Sequence, residues 1–332
     1  MSSRVSGAAR IQAVGKQRRE NSDGERLWRA AGRLALGLLL LAARAVLFPL
    51  FLLSYLAPRR PNLWVFGSWG GYRFADNAAA FFEYCHRHVP GRDFVWISRR
   101  STIVQQLRAN GYRAYRAWSP LGVAMCLRAG VYVFDCFSKD INFWLSGGAT
   151  KINLWSGVPL KTFERDIDNP RNRYYRLFHG SPPERLIWSA LMPWHVQKPD
   201  LLIATSEETA AITQRAFAVG KEQVEITGFP RNDRLLRERN AEPPTQLRAA
   251  LLADRKVFLY LPTFRDDARP FMRLDWAALN DTMARVGAEF FVKRHPIDRG
   301  SAPPNLEHVH ELGQDVDVYA VLPHTTALIS DY

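Results

Sequence analysis

Short clusters of hydroxyl and cationic side chains follow several apolar runs of this sequence, and their chemistry suits a phosphorylated ligand. A guanidinium grips a diphosphate through two parallel hydrogen bonds, and a glycine-containing turn offers backbone N–H groups to an anion. A histidine beside other cations can donate a proton to a phosphate oxygen. We therefore predict phosphate-binding positions at these clusters. They are the turn of Ser156, Gly157, Val158, Pro159 and Leu160, then Arg231, then Pro262 with Thr263 and Arg265, and finally Lys293 with Arg294 and His295.

Each cluster also has a plainer structural interpretation. A serine followed by glycine is common in ordinary turns, and Arg231 could form a surface ion pair with Asp233. A glycine-rich loop at 67–71 could let a ligand approach the backbone, but Asp76 after it is favoured as a simple helix N-cap. Two similar arginines at predicted strand ends, Arg231 and Arg265, favour ligand binding over coincidence.

No common nucleotide or metal motif is present. Neither GxGxxG nor GxxxxGK[ST] occurs, which argues against the usual dinucleotide fingerprint and against a P-loop NTPase. No group of carboxylates or histidines has metal-ligand spacing, so we expect neither a metal nor a cofactor. Cys85, Cys126 and Cys136 lie far apart and outside any CxxC pair, which indicates buried thiols in a reducing, cytosolic setting.

Rigid elements must position these clusters, and the alternation of short β-rich runs with amphipathic stretches after Pro61 predicts parallel α/β units. Residues 163–199 contain no clear strand and are expected to form an insertion or a linker near the cleft. Two such series without a P-loop suggest two Rossmann-like domains of glycosyltransferase-B type, with the nucleotide in the interdomain cleft. The strands are predicted at 63–66, 94–98, 112–115, 131–134 and 152–155, and at 201–205, 224–227, 257–261, 290–293 and 327–330.

The N-terminal segment combines basic charge with an apolar run. Residues 1–60 hold 11 Lys/Arg against 3 Asp/Glu, so they carry +8 of the formal net charge of +13. The stretch 34–57 is long enough to cross a bilayer, but basic residues flank both ends, which favours a bent, monotopic helix turning near Arg44 and Pro49. We expect a membrane surface as partner and no nucleic acid, since no nucleic-acid-binding motif occurs. The predicted divisions are 1–60, 61–195 and 196–332.

Five motifs in order carry a resemblance to a known family. They are WSGVPLK at 155–161, GFPRND at 228–233, LYLPTFR at 259–265, KRHP at 293–296 and SDY at 330–332. Between Leu63 and Tyr332 the chain resembles the CDP-glycerol glycerophosphotransferases, the family of teichoic-acid and capsule polyol-phosphate transferases.

The resemblance implies that an acceptor hydroxyl attacks the β-phosphorus of a CDP-linked polyol and that CMP leaves. It implies a lipid-linked or polymer acceptor on the cytoplasmic side of the inner membrane, an acceptor-side first domain and a CDP-donor second domain. The implied catalytic positions are His295 and Ser156. The implied phosphate ligands are Arg231, Arg265, Lys293 and His295, with Thr263 and the Ser156–Leu160 turn lining the donor site.

Two departures from the family pattern keep alternatives open. Ser156 stands where the family carries a histidine proposed as base, so the base is either missing or supplied elsewhere, for which His179 and His195 are candidates. The sequence ends at Asp331-Tyr332, before residues that usually complete the family's second domain, so we expect that domain to be incomplete. The alternatives are a catalytically inactive member that only binds donor or acceptor, and a related nucleotide-sugar glycosyltransferase.

Overall fold

The computed structural model describes residues 32, 35–238, 240–262, 274–294, 302–314 and 316–330, and it divides into two compact units between Gly228 and Phe229. Every paired strand in the described residues runs parallel to its neighbour. The predicted α/β fold with parallel sheets is therefore confirmed, and each of the predicted strands overlaps an observed one.

The first unit is built on a seven-stranded sheet in the order β3-β2-β1-β4-β5-β6-β7. Its helices cover both faces, because Phe82 of α2 packs on Phe66 and Trp96 on one face while Cys126 of α4 joins Tyr132 in the core on the other. The strands are β1 (Arg60–Gly67), β2 (Asp93–Ser98), β3 (Ala114–Arg116), β4 (Ala129–Phe134), β5 (Thr150–Asn153), β6 (Leu201–Ala204) and β7 (Val224–Ile226). The helices are α2 (Asp76–His88), α3 (Ser101–Ala109), α4 (Pro120–Arg128), α5 (Arg173–His179), α6 (Pro182–Leu191), α7 (Pro193–Val196) and α8 (Glu207–Phe217).

The order in which strands are added to this sheet reverses between β1 and β4. Strands β2 and β3 extend the sheet to one side of β1, and β4 to β7 extend it to the other. In an open parallel sheet, the carboxyl ends of the two strands at such a reversal splay apart and leave a crevice for ligands. The loops after β1, β4 and β5 therefore lie where this sheet would accept a ligand.

The predicted boundary near 195 is wrong. Strand β6 pairs with β5 through Ile152 opposite Leu201, and β7 pairs with β6, so both belong to the first sheet. The helical stretch 163–199 has the composition of a linker, yet after it the chain returns to the same sheet and adds two strands. The first unit consequently reaches Gly228.

The second unit has a four-stranded sheet in the order β10-β9-β8-β11. Strand β10 escaped prediction because its three residues, Val-His-Glu, contain no apolar run. The imidazole of His310 on this strand is hydrogen-bonded, because its Nε2 lies 2.7 Å from Oε2 of the buried Glu289 of β9. The elements are β8 (Lys256–Tyr260), β9 (Ala288–Val292), β10 (Val309–Glu311) and β11 (Ala327–Ile329), with α9 (Asn232–Glu238), α10 (Thr245–Leu252), α11 (Trp276–Val286) and α12 (Val318–Val321).

The apolar N-terminal run forms helix α1 (Ala35–Leu56), long and apolar enough to cross a membrane, with a mean hydropathy of 2.4 and no part of its most apolar stretch buried. The expected turn near Arg44 and Pro49 is wrong, because the helix continues through both residues. A proline inside a helix removes a single backbone hydrogen bond, and here the helix tolerates that loss. The Arg44 guanidinium instead packs on the ring of Trp194 at 5.2 Å.

The carboxyl end of α1 is attached firmly to the first unit. The rings of Phe51 and Phe143 stack at 4.7 Å, and the buried Ser54 hydroxyl accepts a hydrogen bond from the N–H of Gly147 at 2.9 Å. Just beyond the helix, Arg59 donates to five backbone carbonyls. These belong to Ser54, Cys126, Ala129, Leu145 and Gly147. The apolar helix therefore keeps a fixed orientation relative to the first sheet.

Candidate functional site

The Ser156 turn follows β5 at the carboxyl edge of the first sheet. The Asn77 side chain at the start of α2 donates to the carbonyls of Leu154 and Trp155, at 3.3 and 2.7 Å. Trp155 adopts a left-handed conformation, with φ of 49°, which bends the chain sharply into Ser156. The turn is accessible to a ligand, because Val158 is 49% and Leu160 is 65% exposed.

The glycine-rich loop after β1 is held by a carboxylate of the protein itself. Asp140, which is 1% exposed, accepts hydrogen bonds from the N–H groups of Gly70 at 2.7 Å and Cys136 at 3.0 Å. A Cβ at Gly67 would lie 2.5 Å from the Asp140 carbonyl oxygen, so this glycine permits close packing of two backbones. These contacts give the loop a structural role at Gly67 and Gly70.

The prediction that Asp76 is the N-cap of α2 is wrong by one residue. Ala75 occupies the cap position, and Asp76 is the first helical residue, with φ of 66° and Oδ1 accepting from the N–H of Asn77 at 3.1 Å. A further carboxylate, Asp135 after β4, accepts from the N–H of Ala78 at 2.7 Å. This hydrogen bond satisfies one of the backbone N–H groups in the first turn of α2.

Burial dominates the electrostatics of this crevice. Burial raises the pKa of Asp135, and the charges of Asp76 and Asp140 raise it further. Asp135 Oδ2 and the nearby Ser68 hydroxyl make no hydrogen bond of normal geometry within the described residues. Burial also raises the pKa of Cys136, as do Asp140 and Asp135, while a hydrogen bond from Ser156 acts in the opposite direction. Cys136 therefore stays a thiol at neutral pH.

We expect Asp135→Asn to make the folded protein more stable than wild type at neutral pH. Folding raises the pKa of Asp135. Its contribution to the free energy of unfolding is therefore fully present below the unfolded pKa of about 3.9 and is lost as the pH rises through the folded pKa. Asparagine keeps the acceptor for Ala78 without the charge. Urea unfolding between pH 4 and 8 should show a difference that shrinks toward the acidic end.

A matched control for that experiment is Asp93→Asn, which removes a carboxylate that is 58% exposed and paired with Arg113 at 2.9 Å. A surface pair of this kind contributes about 0–1 kcal/mol, so its stability curve should run parallel to that of wild type. Curves of Asp135→Asn and wild type that stay parallel over the whole range would contradict the expected effect.

Of the two histidines considered as replacement bases, His195 is buried and paired with a carboxylate. It is 9% exposed, and its Nδ1 lies 3.0 Å from Oε2 and 3.2 Å from Oε1 of Glu164. A carboxylate can only accept, so Nδ1 carries a hydrogen, and in the neutral imidazole the lone pair is on Nε2. Nε2 makes no hydrogen bond to any residue that the structure describes.

The Phe137 ring connects this pair with the Ser156 turn. Its centroid lies 4.0 Å from that of His195 and 6.3 Å from that of Trp155, the residue before Ser156. His179, by contrast, is exposed and its Nε2 lies 2.7 Å from the Arg165 carbonyl oxygen. Glu164 was not anticipated from the sequence, because no spacing relates it to a residue 31 positions later.

In the second unit, backbone hydrogen bonds bring three strand ends together. The Lys293 N–H after β9 donates to the Tyr260 carbonyl at the end of β8, at 3.0 Å. The Leu261 N–H beside Pro262 donates to the Ile329 carbonyl at the end of β11, at 2.9 Å. The predicted cation at 293 therefore lies at the same sheet edge as the segment that begins with Pro262.

The remaining cations of this unit have defined neighbours. The Lys293 ammonium donates to the Gly313 carbonyl at 2.9 Å, and Arg294 Nε donates to Glu311 Oε1 at 2.6 Å. The Arg231 guanidinium lies over the ring of Tyr319 at 5.6 Å. Thr263, Arg265 and His295 lie outside the described residues. No group of His, Cys, Asp and Glu that could hold a metal ion occurs in the described part of the chain.

Comparison with known proteins identifies the family. The model of the CDP-Glycerol:Poly(glycerophosphate) glycerophosphotransferase family matches residues 50–332, and the chain belongs to that family. It is 28% identical to the teichoic acid glycerol-phosphate transferase of Staphylococcus aureus over 216 residues, which are 62% of this chain and 51% of that protein. It is 28% identical to the teichoic acid poly(glycerol phosphate) polymerase of Bacillus spizizenii over 221 residues, 64% and 52% of the two chains. The chain thus spans about half the length of these relatives.

Solved structures show the same fold. The wall teichoic acid polymerase TagF superposes with a TM-score of 0.63 at 21% identity, covering 82% of this chain and 67% of that one. A variant of TagF soaked with CDPG superposes with a TM-score of 0.61 at 20% identity, covering 89% and 73%. The likeness supports the parallel α/β architecture described above.

Proposed function

We propose that this chain transfers a polyol phosphate from a CDP-activated donor to a hydroxyl of a membrane-linked acceptor, in the synthesis of a cell-envelope polymer. The observation that carries the proposal is the family match over 50–332 together with the cations at the strand ends of the second unit. The relatives whose names describe glycerol-phosphate transfer support the same reaction.

The donor is assigned to the second unit, as the CDP-binding Rossmann-like domain of a glycosyltransferase-B architecture. Lys293 follows the buried strand β9, and its backbone N–H bonds the end of β8 at the edge where open parallel sheets bind ligands. Together with Arg231, Arg294, Thr263, Arg265 and His295, it would hold the two phosphates and stabilise the charge that develops on them.

The acceptor is assigned to the first unit, with the Glu164–His195 pair as the source of the base that Ser156 cannot supply. His195 Nε2 takes the proton of the acceptor hydroxyl, whose oxygen then bonds to the β-phosphorus. The bond from that phosphorus to the bridging oxygen breaks, and CMP leaves with the electron pair. Glu164 holds the imidazole in the tautomer that accepts at Nε2 and stabilises the imidazolium that forms.

The membrane is the remaining partner, and we assign the chain to the cytoplasmic face of the inner membrane as a monotopic protein. A full crossing requires about 20 residues inside the hydrocarbon. Arg44, Phe51 and Ser54 of α1 all contact the body of the first unit, which supports a helix held against the protein rather than one that crosses the hydrocarbon alone. Its exposed apolar residues are suited to lie in the membrane surface beside a lipid-linked acceptor.

The decisive experiment measures CMP released from CDP-glycerol and from CDP-ribitol by the detergent-solubilised protein with a membrane acceptor fraction. We expect release with one of these donors and none from a UDP-sugar. Donor binding without release would support a second candidate, a non-catalytic member of the family, which the serine at position 156 favours. UDP release from a nucleotide sugar would contradict both.

A further inference from the structure

A cavity of about 350 Å³ opens at the carboxyl ends of β2 and β3 in the first unit, away from the Ser156 turn. Arg99 follows β2, Arg116 ends β3, and Ser119 caps the N-terminus of α4 by accepting from the N–H of Gly122 at 3.1 Å. The helix dipole adds positive potential at that position. The lining residues are Tyr72, Arg99, Arg116, Ala117, Trp118 and Ser119.

Arginines without acidic partners dominate the charge of this cavity. Arg116 is exposed, and its guanidinium makes no ion pair or hydrogen bond within the described residues. Arg99 donates through Nε to the Gly70 carbonyl at 2.8 Å, and among the described residues no carboxylate pairs with it. Arg44 of α1 lies close enough to Arg99 for the two charges to repel one another. A bound anion would relieve this repulsion.

The aromatic side chains add a second kind of recognition. Tyr72 is 52% and Trp118 is 46% exposed, so both present ring surface to the cavity and to solvent. Exposed rings of this size bind the carbon faces of sugars and polyols while their polar edges remain hydrated. The combination of guanidinium groups with open rings fits a phosphate attached to a sugar or polyol.

We propose that this cavity binds a phosphate group of the anionic acceptor at a distance from its reacting hydroxyl. The inference rests on the proposed function for the identity of the acceptor. Neighbouring strands are about 4.8 Å apart, and three or four strand spacings separate β2 and β3 from β5, so the cavity lies about 14 to 19 Å from the Ser156 turn. A phosphate there belongs to an earlier unit of the acceptor, and its binding positions the chain end for reaction.

Arg44 also places the cavity on the side of the first unit that carries α1. An acceptor anchored in the membrane surface would reach this side first. The same phosphate chemistry could come from bulk anionic lipid, so the test must separate the two sources.

The test measures binding of a short soluble glycerol phosphate oligomer to the full chain by calorimetry, with unphosphorylated polyglycerol as the neutral probe. Arg116→Ala should weaken oligomer binding about tenfold or more, because a charge-assisted hydrogen bond to phosphate is lost. Trp118→Ala should also weaken it. The control is Arg128→Ala, which removes an exposed arginine at the end of α4, outside the cavity, and should leave binding unchanged.

Equal oligomer binding by wild type, Arg116→Ala and Arg128→Ala would overturn the proposal. So would dependence on Arg116 seen with phosphatidylglycerol vesicles but absent with the oligomer, since the cavity would then serve bulk lipid. Binding of the oligomer requires no turnover. Arg116-dependent binding without CMP release would therefore support the cavity as a phosphate site and contradict the proposed function. CMP release with an unchanged acceptor KM in Arg116→Ala would support the proposed function and contradict the cavity as a phosphate site.

Discussion

Replacing His195 with glutamine should lower kcat for CMP release about 10²- to 10⁴-fold, the usual contribution of a general base. Glutamine fills a similar volume but has no ring nitrogen to accept the acceptor's proton. The donor KM should stay close to the wild-type value, because the donor is assigned to the second unit. Stopped assays of CMP release at saturating donor, normalised to folded protein, measure the effect.

Glu164→Gln tests the orientation of the imidazole separately. The glutamine amide can donate to Nδ1, which would force the hydrogen onto Nε2 and block proton acceptance there, so we expect a kcat loss of about 10²-fold or more. Glu164 lies 3.0 Å from Nδ1, so the substitution keeps the contact but can place a donor where the carboxylate offers only acceptors. A purely structural pair would instead lose stability while kcat per folded molecule stayed constant.

His179→Ala is the matched control for both substitutions. This histidine lies in the same helical insertion, but it is exposed and bonded to the Arg165 carbonyl. Its removal should leave kcat unchanged. If His179→Ala slowed the reaction while His195→Gln did not, the assignment of the base would be wrong.

The strands could be predicted from sequence because buried parallel strands are continuous apolar runs, as in Phe-Val-Trp-Ile of β2. The same rule missed β10, whose His310 is accommodated by Glu289 on a neighbouring strand. It also misplaced the unit boundary at 195. A sequence pattern marks where strands begin and end, and it carries no information on which sheet β6 and β7 join.

The site was predictable only where its chemistry is local. Lys293 follows its strand directly, and the backbone bond to Tyr260 brings it to the predicted sheet edge. The Glu164–His195 pair and the Asp140 bond to Gly70 join residues 31 and 70 positions apart, and no periodicity records such contacts. The sequence of the glycine-rich loop resembled a ligand-binding loop, because an intramolecular carboxylate and a ligand anion both accept hydrogen bonds from backbone N–H groups.

The second large effect is expected at the cations of the proposed donor site. His295→Ala should lower CMP release about 10²- to 10³-fold, as removal of one group that stabilises transition-state charge does. Lys293→Ala should weaken CDP binding, because the ammonium group that follows β9 is lost. Because the Lys293 ammonium also bonds the Gly313 carbonyl, the unfolding midpoint of this variant must be measured alongside.

Lys256→Ala supplies the control, since Lys256 is exposed at the amino end of β8, the edge of the same sheet opposite to Lys293. Its loss removes equal charge from the same unit, yet CDP binding and turnover should persist. Loss of CDP binding in Lys293→Ala with an unchanged unfolding midpoint would tie donor recognition to the carboxyl edge. Equal binding by both lysine variants would mean that the donor phosphates are held elsewhere.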